Sequence, residues 1–272
     1  MVRVIIHDHV TLNMGTCMSD QLKVANFLQR NDGESIAYHH TPGKGPGVMF
    51  LTGFKSDMQG GKALALEAHC VSMGYAFTRF DYFGHGESSG AFDDGTIGRW
   101  ADDTGIILDE ICEGPQVLVG SSMGGWIMLL TALRQPKKVC GLVGIAAAPD
   151  FTHDLIPERL TPEQRDDLES QGYCDIPNCY DDQEPYRIWN RFLDEGNQHL
   201  LLTDNIKLDM PVRLIQGMLD EDVPWKTAHS IMDRLTSDDV EVQFVKSGDH
   251  RLSEPQDIDR LLRTVEALLE QF

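Results

Sequence analysis

The chain has 272 residues, of which 41% are hydrophobic, and this is enough to bury one large core. It carries 23 Lys and Arg residues against 43 Asp and Glu residues, a formal net charge of -20. Such a charge opposes binding to nucleic acid and to an anionic membrane surface. We therefore expect one domain over residues 1–272 and no nucleic-acid partner.

The N-terminal region and the cysteines bear on the cellular environment. The first twenty residues contain Asp8 and Asp20 and lack a charged stretch followed by a long apolar one, which suits neither a secretory nor a mitochondrial leader. No apolar run reaches the roughly 20 residues that a membrane-spanning helix needs. The six cysteines show no repeated C-x-x-C spacing, which favours reduced thiols over a metal site. The sequence thus predicts a cytoplasmic protein without a membrane span or a metal.

In chain order, the first predicted element is an antiparallel hairpin, Lys23–Leu28 and Ser35–His40, around a polar turn that contains Asn31, Asp32 and Gly33. From Val48 onward, strand-like runs alternate with segments of helical period, which is typical of a mainly parallel sheet flanked by helices. The predicted strands are Val48–Leu51, Tyr75–Phe80, Gln116–Val119, Val139–Ala146, Val212–Ile215 and Glu241–Val245. The predicted helices are Lys62–Met73, Ile97–Ile111, Met123–Arg134, Lys226–Thr236 and Ile258–Glu270.

One stretch, about residues 150–207, breaks this alternation. It is acidic, contains prolines at positions 157, 162, 177 and 185, and is too long for a simple connection between neighbouring strands. We expect a helical cap inserted into the domain. Its apolar residues would face the sheet, where they either cover it or contact a substrate. These residues are Leu155, Ile156, Tyr173, Ile176, Tyr186, Ile188, Trp189 and Phe192.

A G-x-S-x-G motif at residues 120–124 points to nucleophilic chemistry. It lies between the predicted strand Gln116–Val119 and the predicted helix Met123–Arg134, which is the context that the motif requires. A serine on such a sharp turn projects its hydroxyl above the sheet, and the flanking glycines avoid Cβ collisions. The helix N-terminus also lies beside the negative charge that develops during catalysis. Ser122 is therefore the predicted nucleophile, against the alternative of a turn that merely packs helix on strand.

A base and an acid are expected after the last two strands. In this arrangement the chain order is serine, acid, histidine. Asp220 follows Val212–Ile215 and is the predicted acid, with Asp222 as the competitor farther from the strand end. His250 follows Glu241–Val245 in a loop that contains a glycine, and it is the predicted general base.

The oxyanion of acyl transfer needs two donors, and both are predicted to be backbone N–H groups. One belongs to Met123, the residue after the nucleophile. The other follows the strand Val48–Leu51, where Gly53 permits a turn and Phe54 is the predicted donor. Losing such a donor typically costs about 3 kcal/mol of transition-state stabilisation.

Residues 81–88 form a D-x-x-G-x-G-x-S turn after the strand Tyr75–Phe80. We interpret this turn as structural, because His85 precedes the nucleophile in the chain and lies off the expected catalytic loop. Arg79 and Arg99 are expected to form ion pairs with acidic residues, with the orientation of a substrate carboxylate as the less favoured alternative.

The chain resembles the serine hydrolases of the α/β-hydrolase superfamily over roughly residues 35–272, and within them the mitochondrial palmitoyl-protein thioesterase of the abhydrolase-domain group, also known as an acyl-glucuronide esterase. The resemblance implies an α/β-hydrolase fold, Ser122, Asp220 and His250 as a triad, no cofactor, and an acyl thioester or ester substrate. It rests on residues 60–65 (GGKALA), 79–82 (RFDY), 114–126 (GPQVLVGSSMGGW), 222–225 (DVPW) and 249–251 (DHR).

The sequence therefore predicts a serine hydrolase that cleaves ester or thioester bonds of a small molecule or an acylated protein. Two alternatives remain open. The same triad serves peptidases and carbon-carbon bond hydrolases, and a hydrolase fold can also act as a ligand-binding module without catalysis. Cap residues that line the pocket and the oligomeric state are not predicted.

Overall fold

The structure is a computed structural model that describes residues 24–177 and 185–272. Lys23, at the start of the predicted hairpin, lies outside these residues, as do Cys17 and Cys179. The four cysteines within the described residues are free thiols, as expected: Cys70, Cys112, Cys140 and Cys174.

Eight strands form one twisted sheet in the order β1-β2-β4-β3-β5-β6-β9-β10. The hairpin strands β1 and β2 and the pair β2 and β4 are antiparallel, and every other neighbouring pair is parallel. This confirms the predicted fold class, an α/β-hydrolase fold with an antiparallel hairpin at one edge. The strands are β1 Asn26–Gln29, β2 Ser35–Thr41, β3 Lys44–Leu51, β4 Tyr75–Phe80, β5 Gln116–Ser121, β6 Val139–Ile145, β9 Val212–Gly217 and β10 Val240–Val245.

Helices cover both faces of this sheet. Along β3, Val48 and Phe50 pack in one apolar cluster and Met49 and Leu51 in the other, because successive side chains of a strand point to opposite faces. Helices α1 and α9 belong to the first cluster, and α2, α3 and α8 to the second. The helices are α1 Gly61–Ser72, α2 Ile97–Glu110, α3 Met123–Arg134, α8 Lys226–Arg234 and α9 Pro255–Leu269.

Among the predicted elements that lie wholly within the described residues, two boundaries differ from the structure by more than two residues, and several others differ by one or two. Strand β3 begins at Lys44, before the predicted start at Val48, because residues 44–47 are glycine-rich and polar and give no apolar signal. Helix α9 begins at Pro255 instead of Ile258, since proline is well suited to the first turn of a helix. No helix among residues 24–177 and 185–272 combines the length and the apolar character that crossing a bilayer requires.

The segment between β6 and β9 contains both helices and strands. Within the described residues, the segment predicted as a helical cap contains four α-helices and, in addition, an antiparallel two-stranded sheet, in which Tyr173 pairs with Trp189 and Ile176 with Tyr186. Helix α6 begins with a capping box between Thr161 and Gln164. The elements of this segment are α4 Phe151–Asp154, α5 Ile156–Arg159, α6 Pro162–Gln171, β7 Tyr173–Ile176, β8 Tyr186–Trp189 and α7 Asn190–Gly196.

Candidate active site

Ser122 occupies a strained turn between β5 and α3. Its φ of 54° and ψ of -118° lie in a region that non-glycine residues rarely adopt. A Cβ on Gly120 would lie 2.3 Å from the carbonyl oxygen of Gly124, and a Cβ on Gly124 would lie 2.2 Å from that of Leu51. Both positions therefore require glycine, and the motif folds as the sharp turn that the sequence predicts.

His250 lies directly beside Ser122 although 128 positions separate the two residues in the chain. The loop after β10 carries it across the carboxyl edge of the sheet, with its Nε2 atom 3.0 Å from Ser122 Oγ. The imidazole is only 12% exposed, so water competes little for this contact.

Asp220 contacts the other nitrogen of the same ring. Its Oδ2 atom lies 2.9 Å from His250 Nδ1. Oδ1 accepts the backbone N–H groups of Asp222, at 2.9 Å, and Val223, at 2.7 Å. Because an ionised carboxylate only accepts hydrogen bonds, we assign the imidazole proton to Nδ1, which leaves Nε2 to accept the hydroxyl proton of Ser122.

The competing acid, Asp222, faces a different partner. Its carboxylate lies 3.7 Å from the guanidinium of Arg159 on α5. The side chain of Asp222 is 35% exposed, whereas that of Asp220 is fully buried. The structure therefore brings Ser122, His250 and Asp220 together and leaves Asp222 at the rim.

The predicted oxyanion segment runs alongside the nucleophile. A Cβ on Gly53 would lie 3.5 Å from Ser122 Cβ, and Phe54 and Met123 both line the cavity above the serine. The Phe54 ring is held in a cluster of aromatic rings, which fixes this segment. These rings are Phe92, Trp100, Phe151, Tyr186 and Phe192, with centroids 4.9 to 6.2 Å from that of Phe54.

Two residues that hold the loop around Asp220 are not predicted from the sequence. Gln216 at the end of β9 is fully buried, and its Nε2 donates to Asp220 Oδ2 at 2.9 Å and to the Val223 carbonyl at 3.1 Å. Arg159 donates from α5 to the carbonyls of Glu221 and Asp222, at 2.5 and 2.7 Å. The only sequence signal for Gln216 is a polar residue inside an apolar strand, and Arg159 has none, since its partners lie more than sixty positions away.

A cavity of about 510 Å³ opens above Ser122. Of the eight apolar residues predicted on the underside of the 150–207 segment, five line it: Leu155, Ile156, Ile176, Tyr186 and Ile188. The other three do not line it: Phe192 packs behind Phe54 and Phe151, and Tyr173 packs against Trp189. The cavity therefore combines the predicted nucleophile with a largely apolar wall that an acyl chain can occupy.

The D-x-x-G-x-G-x-S turn serves as a structural support, as the sequence predicts. Asp81 accepts the backbone N–H groups of Met58 and Glu87, at 2.6 and 2.9 Å. His85 is 4% exposed, and burial lowers its pKa to about 4.

Both arginines form the expected ion pairs. Arg79 contacts Glu67 at 2.7 Å in the interior, and Arg99 contacts Asp32 at 2.9 Å. Neither residue lines the cavity.

Comparison with known proteins shows which family the chain belongs to. A family model described as serine aminopeptidase, S33, matches residues 48–165, and one described as the prolyl oligopeptidase family matches residues 113–272. The palmitoyl-protein thioesterase ABHD10, mitochondrial, of Bos taurus is 42% identical over 249 residues, which cover 91% of this chain and 80% of the relative. The chain belongs to the ABHD10 family of α/β-hydrolases.

Solved structures agree with this membership. Mouse α/β-hydrolase domain-containing protein 10 has a TM-score of 0.85 at 42% identity and covers 91% of this chain and 98% of its own. A putative hydrolase from Agrobacterium vitis S4 also has a TM-score of 0.85, at 39% identity, with 90% of this chain and 97% of its own covered. As a member of the ABHD10 family, the chain is an enzyme, a serine hydrolase.

The expected cytoplasmic location is wrong. It rested on the composition of the first twenty residues, which lie outside the described residues. The ABHD10 relatives from Bos taurus, Mus musculus and Rattus norvegicus are all named as mitochondrial, and this finding overturns it.

Proposed function

We propose that this enzyme hydrolyses acyl thioesters and carboxylic esters through an acyl-enzyme on Ser122. One observation carries the proposal: Asp220, His250 and Ser122 form a continuous chain of hydrogen bonds, of 2.9 and 3.0 Å, that ends in a largely apolar cavity of about 510 Å³. A hydroxyl beside a neutral imidazole is an activated nucleophile. The apolar wall buries the acyl chain, and Ser122 attacks the carbonyl carbon at its end.

In the first half of the reaction, Ser122 Oγ forms a bond to the acyl carbon and its proton passes to His250 Nε2. The carbonyl oxygen becomes an oxyanion, which the backbone N–H groups of Phe54 and Met123 stabilise. When the tetrahedral intermediate collapses, the bond to the leaving sulfur or oxygen breaks. His250 then gives its proton to that leaving group.

In the second half, water takes the place of the leaving group. His250 removes a proton from water, whose oxygen attacks the acyl carbon of the acyl-enzyme. The collapse of the second intermediate breaks the bond to Ser122 Oγ, which recovers a proton from His250. Asp220 holds the imidazole in one tautomer throughout and stabilises its protonated form. The fully buried Gln216 fixes Asp220 in turn.

The names of the relatives support a thioester substrate. Each of the five curated relatives is called a palmitoyl-protein thioesterase, which favours an acylated protein or a small acyl thioester as the substrate of this chain. The same names support a mitochondrial location, which fractionation of cells producing the full-length protein tests. We also propose that residues 150–207 form a cap on a single domain, since five of their side chains line the cavity.

A substrate panel tests the proposal against its alternatives. The purified enzyme is assayed with short and long p-nitrophenyl esters, acyl-CoA thioesters and aminoacyl amides. We expect kcat/KM for esters and thioesters to exceed that for amides at least 100-fold, because an amine is the poorer leaving group. A preference for amides would instead support a peptidase, and the absence of turnover together with saturable binding would support a ligand-binding module.

A further inference from the structure

Lys62 connects helix α1 to the loop that carries His250. It is the second residue of α1 and lines the cavity. Its Nζ atom donates to the backbone carbonyl of Arg251 at 2.5 Å and to the hydroxyl of Ser253 at 3.0 Å. These partners lie 189 and 191 positions away in the chain, so the contact joins the start of α1 to the loop that follows β10.

The loop from Gly248 to Ser253 is already fixed at two other points. A Cβ on Gly217 would lie 2.4 Å from the Gly248 carbonyl oxygen, so β9 packs tightly against the start of the loop. At the far end, Leu252 is buried, and its N–H group donates to Asp249 Oδ1 at 2.9 Å. Its φ of 44° is unfavourable for a non-glycine residue, so this conformation depends on the surrounding contacts.

We infer that Lys62 is a positioning residue for the catalytic histidine: by holding the Arg251 carbonyl and the Ser253 hydroxyl, it sets the approach of His250 to Ser122. The inference rests on the proposed function, in which His250 is the general base. Lys62 acts only through the loop, and its Nζ contacts neither the imidazole nor the nucleophile in the hydrogen bonds that it forms. A misplacement of about 1 Å at a reacting group can cost about 100-fold in rate.

The chemistry of the contact suits a lysine. An ammonium group has three donors and no acceptor, and here two of the three satisfy loop oxygens. Burial lowers the pKa of Lys62, while the carboxylates of Asp249 and Asp257 favour the charged form and Arg251 disfavours it. Arginine keeps the charge and the donors, whereas methionine keeps the length of the side chain and loses both.

The test compares Lys62→Met and Lys62→Arg with a matched control, Lys138→Met. Lys138 also donates to a backbone carbonyl, that of Leu108 at 3.2 Å. It directly precedes β6, at the amino ends of the parallel strands, and it does not line the cavity. The measurements are kcat and KM for a neutral p-nitrophenyl ester, the rate of labelling by a fluorophosphonate probe, and the thermal midpoint.

We expect Lys62→Met to lower kcat about 10-fold or more with KM changed less than twofold, and to slow probe labelling in parallel. Lys62→Arg should restore kcat to within about threefold of the unchanged enzyme, and Lys138→Met should leave kcat unchanged. An unchanged kcat in Lys62→Met, or a change confined to KM, would overturn the inference. So would a Lys62→Arg variant as slow as Lys62→Met, because the charge and donors would then be irrelevant.

Two further variants keep the result interpretable. If Lys62→Met does not fold, Ser253→Ala removes one of the two acceptors and should lower kcat about two- to threefold, whereas an unchanged kcat would overturn the inference. Ser122→Ala is assayed beside them. Retained turnover in Ser122→Ala would refute the proposed function itself, whereas full kcat in Lys62→Met beside an inactive Ser122→Ala refutes only the role of Lys62.

Discussion

Two histidines, one buried and one partly buried, follow strands of the sheet at its carboxyl edge, and their surroundings differ. His250 has a buried carboxylate 2.9 Å from one ring nitrogen and the Ser122 hydroxyl 3.0 Å from the other, at the floor of a cavity. His85 contacts the carbonyl of Phe83 at 3.2 Å and is enclosed by the rings of Tyr82, Phe92 and Trp100. Burial lowers the pKa of His85 to about 4, against the smaller opposing effects of the Phe83 carbonyl and the Asp57 carboxylate, and so keeps the ring neutral.

Burial alone therefore does not make a histidine a general base. A general base needs a partner that fixes its tautomer and stabilises its charged form, together with a substrate space in front of the free nitrogen. His250 has both, through Asp220 and the cavity. Among the described residues, His85 has only the carbonyl of Phe83 as a hydrogen-bond partner, and it does not line the cavity. Substitutions at the two positions should therefore have effects that differ by orders of magnitude.

The largest expected effect is that of His250→Ala. Removal of the base leaves Ser122 with no acceptor for its proton, so kcat should fall by about 10⁶, as when a triad serine or histidine is deleted in other serine hydrolases. Steady-state kinetics with a p-nitrophenyl ester measures the loss. The circular dichroism spectrum should remain unchanged, and a well-folded variant with more than about one per cent of the activity would contradict the assignment.

A smaller loss is expected for Asp220→Asn, with Asp222→Asn as its matched control. The asparagine amide favours the wrong imidazole tautomer, so kcat should fall by about 10⁴. The same change two positions later, where the carboxylate pairs with Arg159 at 3.7 Å, should cost less than about 10-fold. Equal losses in the two variants, or a larger loss for Asp222→Asn, would show that the acid has been wrongly assigned.

His85→Phe should leave turnover within about threefold and change the pH dependence of stability instead. The pKa of His85 is lowered from 6.5 to about 4 in the folded state. The stability that the neutral ring contributes is therefore complete above about pH 6.5 and is lost as the pH falls from there towards about 4.

Between about pH 7 and about pH 5, this group alone should lower the free energy of unfolding by about 2 kcal/mol. Phenylalanine does not titrate. Between these two pH values, the free energy of unfolding of His85→Phe should therefore fall by about 2 kcal/mol less than that of the unchanged enzyme. Urea denaturation at both pH values measures the difference. The same pH slope in both proteins would mean that His85 is not held neutral by burial.

The smallest expected effect concerns the thiols, where burial again suppresses reactivity. Burial raises the pKa of Cys70 to about 12 and those of Cys112 and Cys140 to about 11. Because the thiolate is the reactive form, iodoacetamide at about pH 8 should leave all three unmodified in the native enzyme and alkylate them after denaturation. Peptide mapping by mass spectrometry measures this, and rapid alkylation of the native protein would be the contrary result.

The sequence is most informative where a pattern is local and periodic. The six strands from Val48 onward are found because their apolar runs are bounded by turns and helices. Residues 120–124 predict the nucleophile turn because its geometry permits only glycine at two positions. The order of serine, acid and histidine along the chain then predicts Asp220 and His250 as acid and base, and the structure has Asp220 2.9 Å from His250 and His250 3.0 Å from Ser122.

Contacts between residues that are far apart in the chain leave no such pattern in the sequence. Lys62 and Arg159 are of residue types that are common on any protein surface, and their hydrogen-bond partners lie more than sixty positions away in the chain. The hairpin of β7 and β8 has only four residues in each strand, too few for a period of two to stand out. The prediction of a helical cap, made from acidity, prolines and length, therefore does not include this pairing.

Covalent labelling tests directly whether Ser122 is the nucleophile and whether His250 activates it. The enzyme, His85→Phe and His250→Ala are each treated with a fluorophosphonate, and the adduct is located by mass spectrometry. We expect a single adduct on Ser122, formed at equal rates in the unchanged enzyme and His85→Phe and slowed by several orders of magnitude in His250→Ala. An adduct on another serine, or undiminished labelling of Ser122 without His250, would contradict it.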